Sequence, residues 1–167
     1  ISSLRYAVSK ERLCRAAACV RQDRIDEAKR PLQVTHRLQP LDIEAVIQCY
    51  PTLIEKGHHE FAEQLFAQYE GALKRQIAQW PRDSTSLNNL AWMYSQCDRN
   101  LEEGLTLSRQ AIELAPNSPV FLDTLAELLY RNGQTPEAIE AMRGCVKLDP
   151  RDKHYRENLV RFSRGDR

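Results

Sequence analysis

Two stretches of the chain repeat one pattern, and the prolines that end them, Pro116 and Pro150, lie 34 residues apart. Before each proline, apolar and small residues recur in the same order. In the second stretch they are Leu122, Leu125, Ala126, Leu129, Ala138 and Met142, and in the first they are Leu87, Leu90, Ala91, Tyr94, Gly104 and Ser108. Residues three and four positions apart share one face of a helix. Each stretch is therefore predicted to form two amphipathic helices, the second of which ends before the proline.

The 34-residue period and this order of residues resemble the tetratricopeptide repeat. The resemblance is specific over residues 84–152, and two weaker copies end at Pro40 and Pro81. It implies an all-α fold, a right-handed superhelix of stacked antiparallel helix pairs (a TPR-like solenoid). Residues 153–163 have Tyr155, Leu159 and Phe162 on one side and charges on the other, which predicts a C-terminal capping helix. We expect a single domain over residues 1–167, with units at about 1–40, 41–83, 84–118 and 119–152.

Three irregularities distinguish the first half of the chain from the regular repeats. Pro31 and Pro51 fall inside predicted helices, where proline removes a backbone hydrogen bond, so we expect a kink at Pro31 and a kink or break at Pro51. The distance from Ala62 to Pro81 is 19 residues, whereas the corresponding distance in the other three units is 12. Seven additional residues predict a second helix that is roughly 10 Å longer than its counterparts.

Turn and capping residues mark the predicted helix ends. Asp42, Ser118 and Thr135 are expected to cap helix N-termini, because their side chains can accept hydrogen bonds from unpaired backbone N–H groups. Gly57 and Gly133 are expected to end helices in the left-handed conformation, which costs glycine little.

The charge of the chain is close to neutral but unevenly distributed. A formal net charge of +1 gives no general case for nucleic-acid binding, and no run of apolar residues is long enough to predict a transmembrane helix or membrane insertion. Residues 1–40 contain nine Lys and Arg residues against four acids, whereas residues 41–150 contain nine basic and sixteen acidic residues. We interpret these charges as solvated helix faces. The alternative is a bipolar field that orients a charged partner or joins molecules end to end.

Five cysteines, Cys14, Cys19, Cys49, Cys97 and Cys145, follow no spacing typical of zinc sites or disulfide frameworks. We interpret them as small buried hydrophobic residues with reduced thiols. Reduced thiols favour a reducing compartment, and so a cytoplasmic location.

The best candidate for metal or catalytic chemistry is His58-His59-Glu60 with Glu63, because His59 and Glu63 lie one helical turn apart. The sequence offers no third ligand at a fixed spacing, so we interpret the cluster as polar residues in a turn. There is no glycine-rich phosphate loop and no motif that pairs a nucleophile with a base. We therefore predict no catalytic residues, no metal site, no cofactor and no enzymatic activity.

The resemblance implies that the first helices of successive units line a concave groove that binds a peptide or a protein segment. Carried over by repeat phase, the groove candidates are Asn88, Asn89, Trp92, Gln96, Asp123, Glu127, Tyr130 and Arg131. Trp92 is singled out as a rigid apolar anchor beside asparagines that can hold a peptide backbone. The alternative is that Trp92 belongs to the core or packs against the long helix near Trp80.

The predicted function is that of a non-catalytic protein–protein interaction scaffold, and the sequence does not name its partner. Two alternatives stay open: the regulatory or substrate-recruiting part of a larger enzyme or assembly, since the chain does not begin with methionine, and a self-associating structural unit. The carboxylate clamp with which some tetratricopeptide arrays hold chaperone C-termini is not expected here. Val120 and Thr124 stand where that clamp would need its basic pair.

Overall fold

The computed structural model describes residues 2–166, and it describes side chains from Tyr6 onward. This part of the chain contains nine α-helices and no β-strand. The helices are α1 (Ser2–Arg21), α2 (Ile25–Leu38), α3 (Glu44–Glu55), α4 (His59–Gln79), α5 (Ser84–Cys97), α6 (Leu101–Leu114), α7 (Pro119–Arg131), α8 (Thr135–Leu148) and α9 (Lys153–Arg164). Consecutive helices pack as pairs, α1 with α2, α5 with α6 and α7 with α8. Between α3 and α4, the Tyr50 hydroxyl donates to Glu63 Oε1 at 3.0 Å. The predicted all-α fold of helix pairs is confirmed.

The chain forms two compact units that divide near the end of α4. Unit 1 extends to Gln76, and unit 2 begins at Ile77. Within unit 1, α1 packs against α2 and α3, and α2 contacts α3. Within unit 2, α5 contacts α6 and α7, α6 contacts α7, and α8 contacts α7 and α9. Each helix thus packs mainly on its neighbours in the sequence. Helix pairs stack in this way because one pair alone cannot bury both of its faces.

The core of unit 1 takes one face from each helix. Leu32 of α2 and Val46 and Leu53 of α3 are buried, together with Phe66 and Leu73 of α4. Full burial of a leucine side chain contributes about 1.5–3 kcal/mol. The spacing of these residues follows the helical period, so the amphipathic pattern positions the core directly.

Pro31 and Pro51 lie inside continuous helices, so the break considered at Pro51 does not occur. Pro51 is exposed and Pro31 is half-buried. A proline that faces solvent frees a backbone carbonyl which water can satisfy, and this lets the helix continue.

Helix α4 confirms the predicted lengthening of the second unit. It contains 21 residues, whereas α2, α6 and α8 contain 14 residues each. Its buried stripe stops at Leu73, and Trp80, just after the helix, is 57% exposed. Across residues 2–166, no helix combines the length and the apolar character that crossing a membrane requires.

The core of unit 2 depends on small residues where helices cross. Ala91, Ala126 and Ala138 are fully buried. Gly104 takes the corresponding place on α6, where an added Cβ would lie 2.8 Å from Leu128 Cδ2. This distance is shorter than van der Waals contact, so the present packing of α6 against α7 favours glycine at this position.

Most of the predicted helix ends agree with the structure. Ser118 is the N-cap of α7 and accepts the backbone N–H of Phe121 at 3.4 Å. The N-cap of α3 is Ile43 and not Asp42 as predicted, although the Asp42 carboxylate accepts the backbone N–H of Glu44 at 3.2 Å. The two predicted glycine caps have φ angles of 81° and 80°. The prediction for Thr135 is wrong. Thr135 is already the first residue of α8, and Gln134 takes the N-cap position without a side-chain capping bond.

Helix α9 is the predicted capping helix. Tyr155 and Phe162 are buried against the core of unit 2, and Leu159 is partly buried beside them. The Asp152 carboxylate caps the helix by accepting the backbone N–H of His154 at 2.7 Å. Other charged residues of α9 are exposed to solvent, as expected for the last helix of a stack, namely Lys153, Arg156, Glu157 and Arg164.

The cysteines divide into four buried residues, Cys19, Cys49, Cys97 and Cys145, and one exposed residue, Cys14. The expectation that all five are buried is therefore wrong for Cys14, which lies on the same exposed side of α1 as Arg15. Burial raises the pKa of Cys49 and of Cys145 to about 12. Both thiols stay protonated at neutral pH, and a protonated thiol is a poor nucleophile.

Candidate binding face on unit 2

All eight predicted groove residues lie on α5 and α7, two helices of unit 2 that pack against each other. We call the side of these helices that carries them the first-helix face, because α5 and α7 are the first helices of the two regular repeats. Its residues are Asn88, Asn89, Trp92, Gln96, Asp123, Glu127, Tyr130 and Arg131.

Helix α5 is buried on every side except one narrow stripe. Thr85 is exposed and Asn89, Trp92 and Gln96 are half-buried, whereas every other residue from Ser86 to Cys97 is buried. Spacings of four, three and four residues place the four open side chains on one face of the helix. The α5 stripe, as we call these four residues, has the indole of Trp92 as its apolar part.

The backbone around Trp92 is fixed from both sides. Its neighbours Ala91 and Met93 are fully buried. The Ser95 hydroxyl donates to the Trp92 carbonyl at 2.8 Å, and Gln96 Nε2 donates to Ser95 Oγ at 3.3 Å. Trp92 is thus held in place while part of its side chain stays accessible, an arrangement intermediate between the groove and core alternatives.

Asn88 lies beside the α5 stripe and faces inward. It is 5% exposed, and its Oδ1 atom is buried without a hydrogen-bond partner among the described residues. Adjacent residues of a helix point about 100° apart, which separates Asn88 from Asn89. The burial of Asn88 places it in the core and not on an open surface. There its unpartnered Oδ1 atom costs about 1–3 kcal/mol.

The α7 half of the first-helix face is covered by α9. Asp123, Glu127 and Tyr130 are all buried, and only Arg131 is half-buried. Glu127 is 3% exposed and accepts a hydrogen bond from Arg131 Nε at 2.8 Å. It also forms an ion pair with Arg161 of α9. Both oxygens of this buried carboxylate are therefore engaged within the protein, as buried charges require.

Asp123 is held by two side chains of α9. His154 Nε2 lies 3.2 Å from Asp123 Oδ2, and Asn158 Nδ2 donates to Asp123 Oδ1 at 3.4 Å. Burial raises the pKa of Asp123, and the contacts with His154 and Asn158 oppose that shift. The carboxylate of Asp123 thus serves to hold α9 in place.

Tyr130 completes the contact between α7 and α9. Its ring stacks on Phe162, with centroids 4.3 Å apart, and its hydroxyl donates to the Asp166 carbonyl at 2.9 Å. The sequence predicts that Phe162 faces the last repeat, but sequence reasoning did not identify the polar residues of α9 that contact α7, which are His154, Asn158 and Arg161. Their spacing of four and three residues along α9 is a signal that could have indicated a side turned toward α7.

A small cavity lies where α5 and α7 end. It has a volume of about 250 Å³ and is lined by Asp98, Glu127, Tyr130, Arg131 and Arg161. Asp98 directly follows α5, and Arg131 is the last residue of α7. The Arg161 guanidinium lies 5.5 Å from the Tyr130 ring centroid, and its Nε atom is buried with no hydrogen-bond partner in the described part of the chain.

The histidine cluster of unit 1 has partners within the protein. His58 Nε2 lies 2.6 Å from Oδ1 of Asp23, a residue of the turn between α1 and α2. Glu63 accepts the hydroxyl of Tyr50. Over residues 2–166, no three His, Cys, Asp or Glu side chains are grouped so that they could hold a metal ion. These contacts favour the interpretation of the cluster as polar residues that join turns.

Comparison with solved structures identifies the class of fold, although no protein-family model and no curated protein matches the sequence. The first tetratricopeptide domain of the human RPAP3 protein matches with a TM-score of 0.57 and 14% identity, over 71% of this chain and 93% of that one. A thermophilic tetratricopeptide protein of Thermus thermophilus matches with a TM-score of 0.56 and 16% identity, over 92% of this chain and 80% of that one.

A third likeness is to the O-GlcNAc transferase of Thermobaculum terrenum, with a TM-score of 0.56 and 21% identity. That match covers 72% of this chain but only 22% of the transferase chain. At these identities the likeness is one of fold. The chain has a tetratricopeptide-type helical repeat fold, as the repeat period predicts.

Proposed function

We propose that this chain is a non-catalytic interaction scaffold that binds an extended peptide segment of a partner protein along the α5 stripe. The single observation that supports this proposal most is the half-buried indole of Trp92 in the open stripe of a helix that is otherwise buried. A tryptophan whose backbone is fixed offers a large apolar contact at little entropic cost. The amides of Asn89 and Gln96 beside it can bond the backbone of a bound peptide.

The proposed contact surface is narrower than the eight residues predicted from the sequence. Asn89, Trp92, Gln96 and Arg131 retain accessible side chains and are assigned to the partner. Asp123, Glu127 and Tyr130 are assigned to holding α9, because their polar groups are used by that helix. The partner peptide would thus lie along α5 and end near the C-terminus of α7.

The proposal is tested by peptide binding with two tryptophan variants. Peptides would be selected from a random-sequence library on the intact chain, and their dissociation constants would be measured by isothermal titration calorimetry. Trp92→Ala is expected to weaken binding by at least about 30-fold, since truncating a hot-spot residue costs about 2 kcal/mol or more.

Trp80→Ala is the matched control, because Trp80 is also exposed but lies outside the α5 stripe. It should leave the dissociation constants within about twofold of the unchanged chain. If Trp92→Ala binds the selected peptides as tightly as the unchanged chain does, the stripe is not the binding site and the proposal is wrong.

The second candidate function is a recruiting region within a larger enzyme. Its support is the fold match to a part of the Thermobaculum terrenum O-GlcNAc transferase, which is 22% of that chain. The full coding sequence around this chain decides the matter, because a neighbouring catalytic domain is required. An open reading frame without such a domain would eliminate this candidate and leave the peptide-binding proposal unaffected.

A further inference from the structure

We infer that the cavity at the ends of α5 and α7 receives an acidic side chain of the bound peptide. We call this cavity the arginine pocket, lined by Asp98, Glu127, Tyr130, Arg131 and Arg161. Its volume of about 250 Å³ is large enough to hold one side chain. The inference rests on the proposed function, since it specifies which partner peptides the α5 stripe would prefer.

The hydrogen-bond donors of the pocket are incompletely used. Among the described residues, Arg131 donates only through Nε, to Glu127, and its side chain is about one-third exposed. Arg161 pairs with Glu127 through Nη2, while its Nε is buried without a partner in residues 2–166. A guanidinium has five N–H donors, so each arginine has donors beyond those that Glu127 engages, and an incoming acceptor can bond the accessible ones.

The charges around the pocket favour a carboxylate over a cation. The carboxylate of Glu127 already faces two guanidinium groups. Asp98 is exposed, so water can solvate it and it has little need of a cationic ligand. Because both arginines have more N–H donors than Glu127 engages, the complementary ligand is an acceptor, and a guanidinium fork matches the two oxygens of a carboxylate.

The same charges disfavour a phosphate group. Two arginines and two acids surround the cavity, so a dianion would meet Asp98 and Glu127 as well as the guanidinium groups. A carboxylate carries one negative charge, whereas a phosphorylated side chain carries about −1.5 to −2 at neutral pH. The pocket is therefore assigned to Asp or Glu, and a phosphorylated residue becomes an arm of the test.

The rise of α5 between Trp92 and the pocket sets a minimum spacing for the peptide motif. Asp98 follows Trp92 by six residues, which is roughly 9 Å along a helix. An extended peptide covers this length with about three residues, at about 3.3–3.6 Å each. A partner peptide is thus expected to carry an apolar residue at Trp92 and an acidic residue at least about three positions away.

The test compares one selected peptide with its amide analogue on three forms of the chain. The peptide from the library selection that binds most tightly would be synthesised with its Glu or Asp, and again with Gln or Asn at that position. On the unchanged chain, the amide analogue is expected to bind about tenfold to a hundredfold more weakly, as expected for a lost charged hydrogen bond. On Arg131→Gln, the acidic peptide and its analogue are expected to bind equally.

Arg164→Gln is the matched control, because Arg164 is an exposed arginine of α9 that does not line the pocket. It should preserve the full preference for the acidic peptide. Arg131→Gln leaves the contact between Arg161 and Glu127 in place, and a thermal melt of this variant would verify that α9 remains packed.

Two modified peptides identify which group of the peptide carries the charge. One has an amidated C-terminus, and the other has phosphoserine in place of Glu. The inference expects no effect from amidation and weaker binding with phosphoserine.

Three results would overturn the inference. They are equal binding of the acidic and amide peptides to the unchanged chain, an undiminished preference on Arg131→Gln, and dependence on a free C-terminus instead of a side chain. If the peptides still depend on Trp92 in any of these cases, the proposed function stands and only the pocket assignment fails. Peptides that bind without dependence on Trp92, or a selection that yields none, would overturn both.

Discussion

Glu127 of α7 and Arg161 of α9 form an ion pair between residues that are 34 positions apart, the same interval as the sequence repeat. The carboxylate is almost completely buried, while the guanidinium is about one-third exposed. Breaking a buried ion pair by removing one partner costs several kcal/mol, because the other charge is left buried. The contact therefore fixes the capping helix on the first-helix face of the last repeat.

We expect Arg161→Ala to lower the free energy of unfolding by about 2–3 kcal/mol. The value lies below that for a fully buried pair, because Arg131 still neutralises Glu127 and Arg161 is partly hydrated. Urea denaturation followed by circular dichroism measures this loss. Arg164→Ala, on the exposed side of the same helix, is expected to change the midpoint very little. Equal midpoints for both variants would mean that the ion pair does not hold α9.

Leu90 and Leu125 occupy the same position in successive repeats but differ in burial. Leu90 is buried, whereas Leu125 is half-buried against the core of unit 2. Leu90→Ala is expected to cost about 2–5 kcal/mol of unfolding free energy through the cavity it leaves. Leu125→Ala is expected to cost less, about 1–2 kcal/mol, because its site is open to water. Denaturant titration of both variants tests the order, and a larger loss for Leu125→Ala would contradict it.

The regular parts of the fold could be predicted because they follow from local spacing. The alanines at helix crossings and the seven-residue lengthening of α4 are read from positions along one helix. Such features depend on the period of 3.6 residues and on the proline that ends each pair. In the structure the buried residues follow the helical period, and the second helix of each pair ends before its proline.

The covering of α7 by α9 could not be predicted in the same way. The repeat phase places Glu127 and Asp123 on the first-helix face, but it does not say which neighbouring helix buries that face. The answer depends on contacts between residues about one repeat apart, such as that of Asp123 with Asn158. Asn88 is a similar case, since the repeat phase indicated a position in the groove, whereas the packing of α5 turns Asn88 inward.

His36 of unit 1 is expected to make stability depend on pH. Its ring contacts Tyr69 edge to face at 4.5 Å, and its Nδ1 atom is buried without a hydrogen-bond partner within the described residues. Burial, with a contribution from the nearby Arg75, lowers the pKa of His36 from 6.5. The unfolded chain then binds a proton at a higher pH than the folded chain does. The stability that neutral His36 provides is full above pH 6.5 and is lost as the pH falls toward the folded-state pKa.

This expectation is checked by following the His36 ring protons by NMR during a pH titration. A pKa below 6.5 in the folded protein is expected, and His36→Gln should reduce the loss of stability between about pH 6.5 and pH 5. His59→Gln, at the first residue of α4, is the comparison variant. A His36 pKa above 6.5 would reverse the sign of the effect and contradict the expectation.

The five cysteines should divide sharply in their reaction with a thiol reagent such as Ellman's reagent. Only Cys14 is exposed, and Cys19, Cys49, Cys97 and Cys145 are buried. Reaction requires both access and the thiolate form, and the pKa of about 12 for Cys49 and Cys145 leaves almost no thiolate at pH 8. One thiol per chain is therefore expected to react rapidly in the native protein, and Cys14→Ser should abolish that rapid reaction phase.

The buried thiols are expected to react only as fast as the units open. Denaturant should therefore make them reactive over the same concentration range in which the helical signal is lost. A second rapid thiol in the native Cys14→Ser variant would show that one of the four buried positions is accessible and that the packing around it differs from the fold described above.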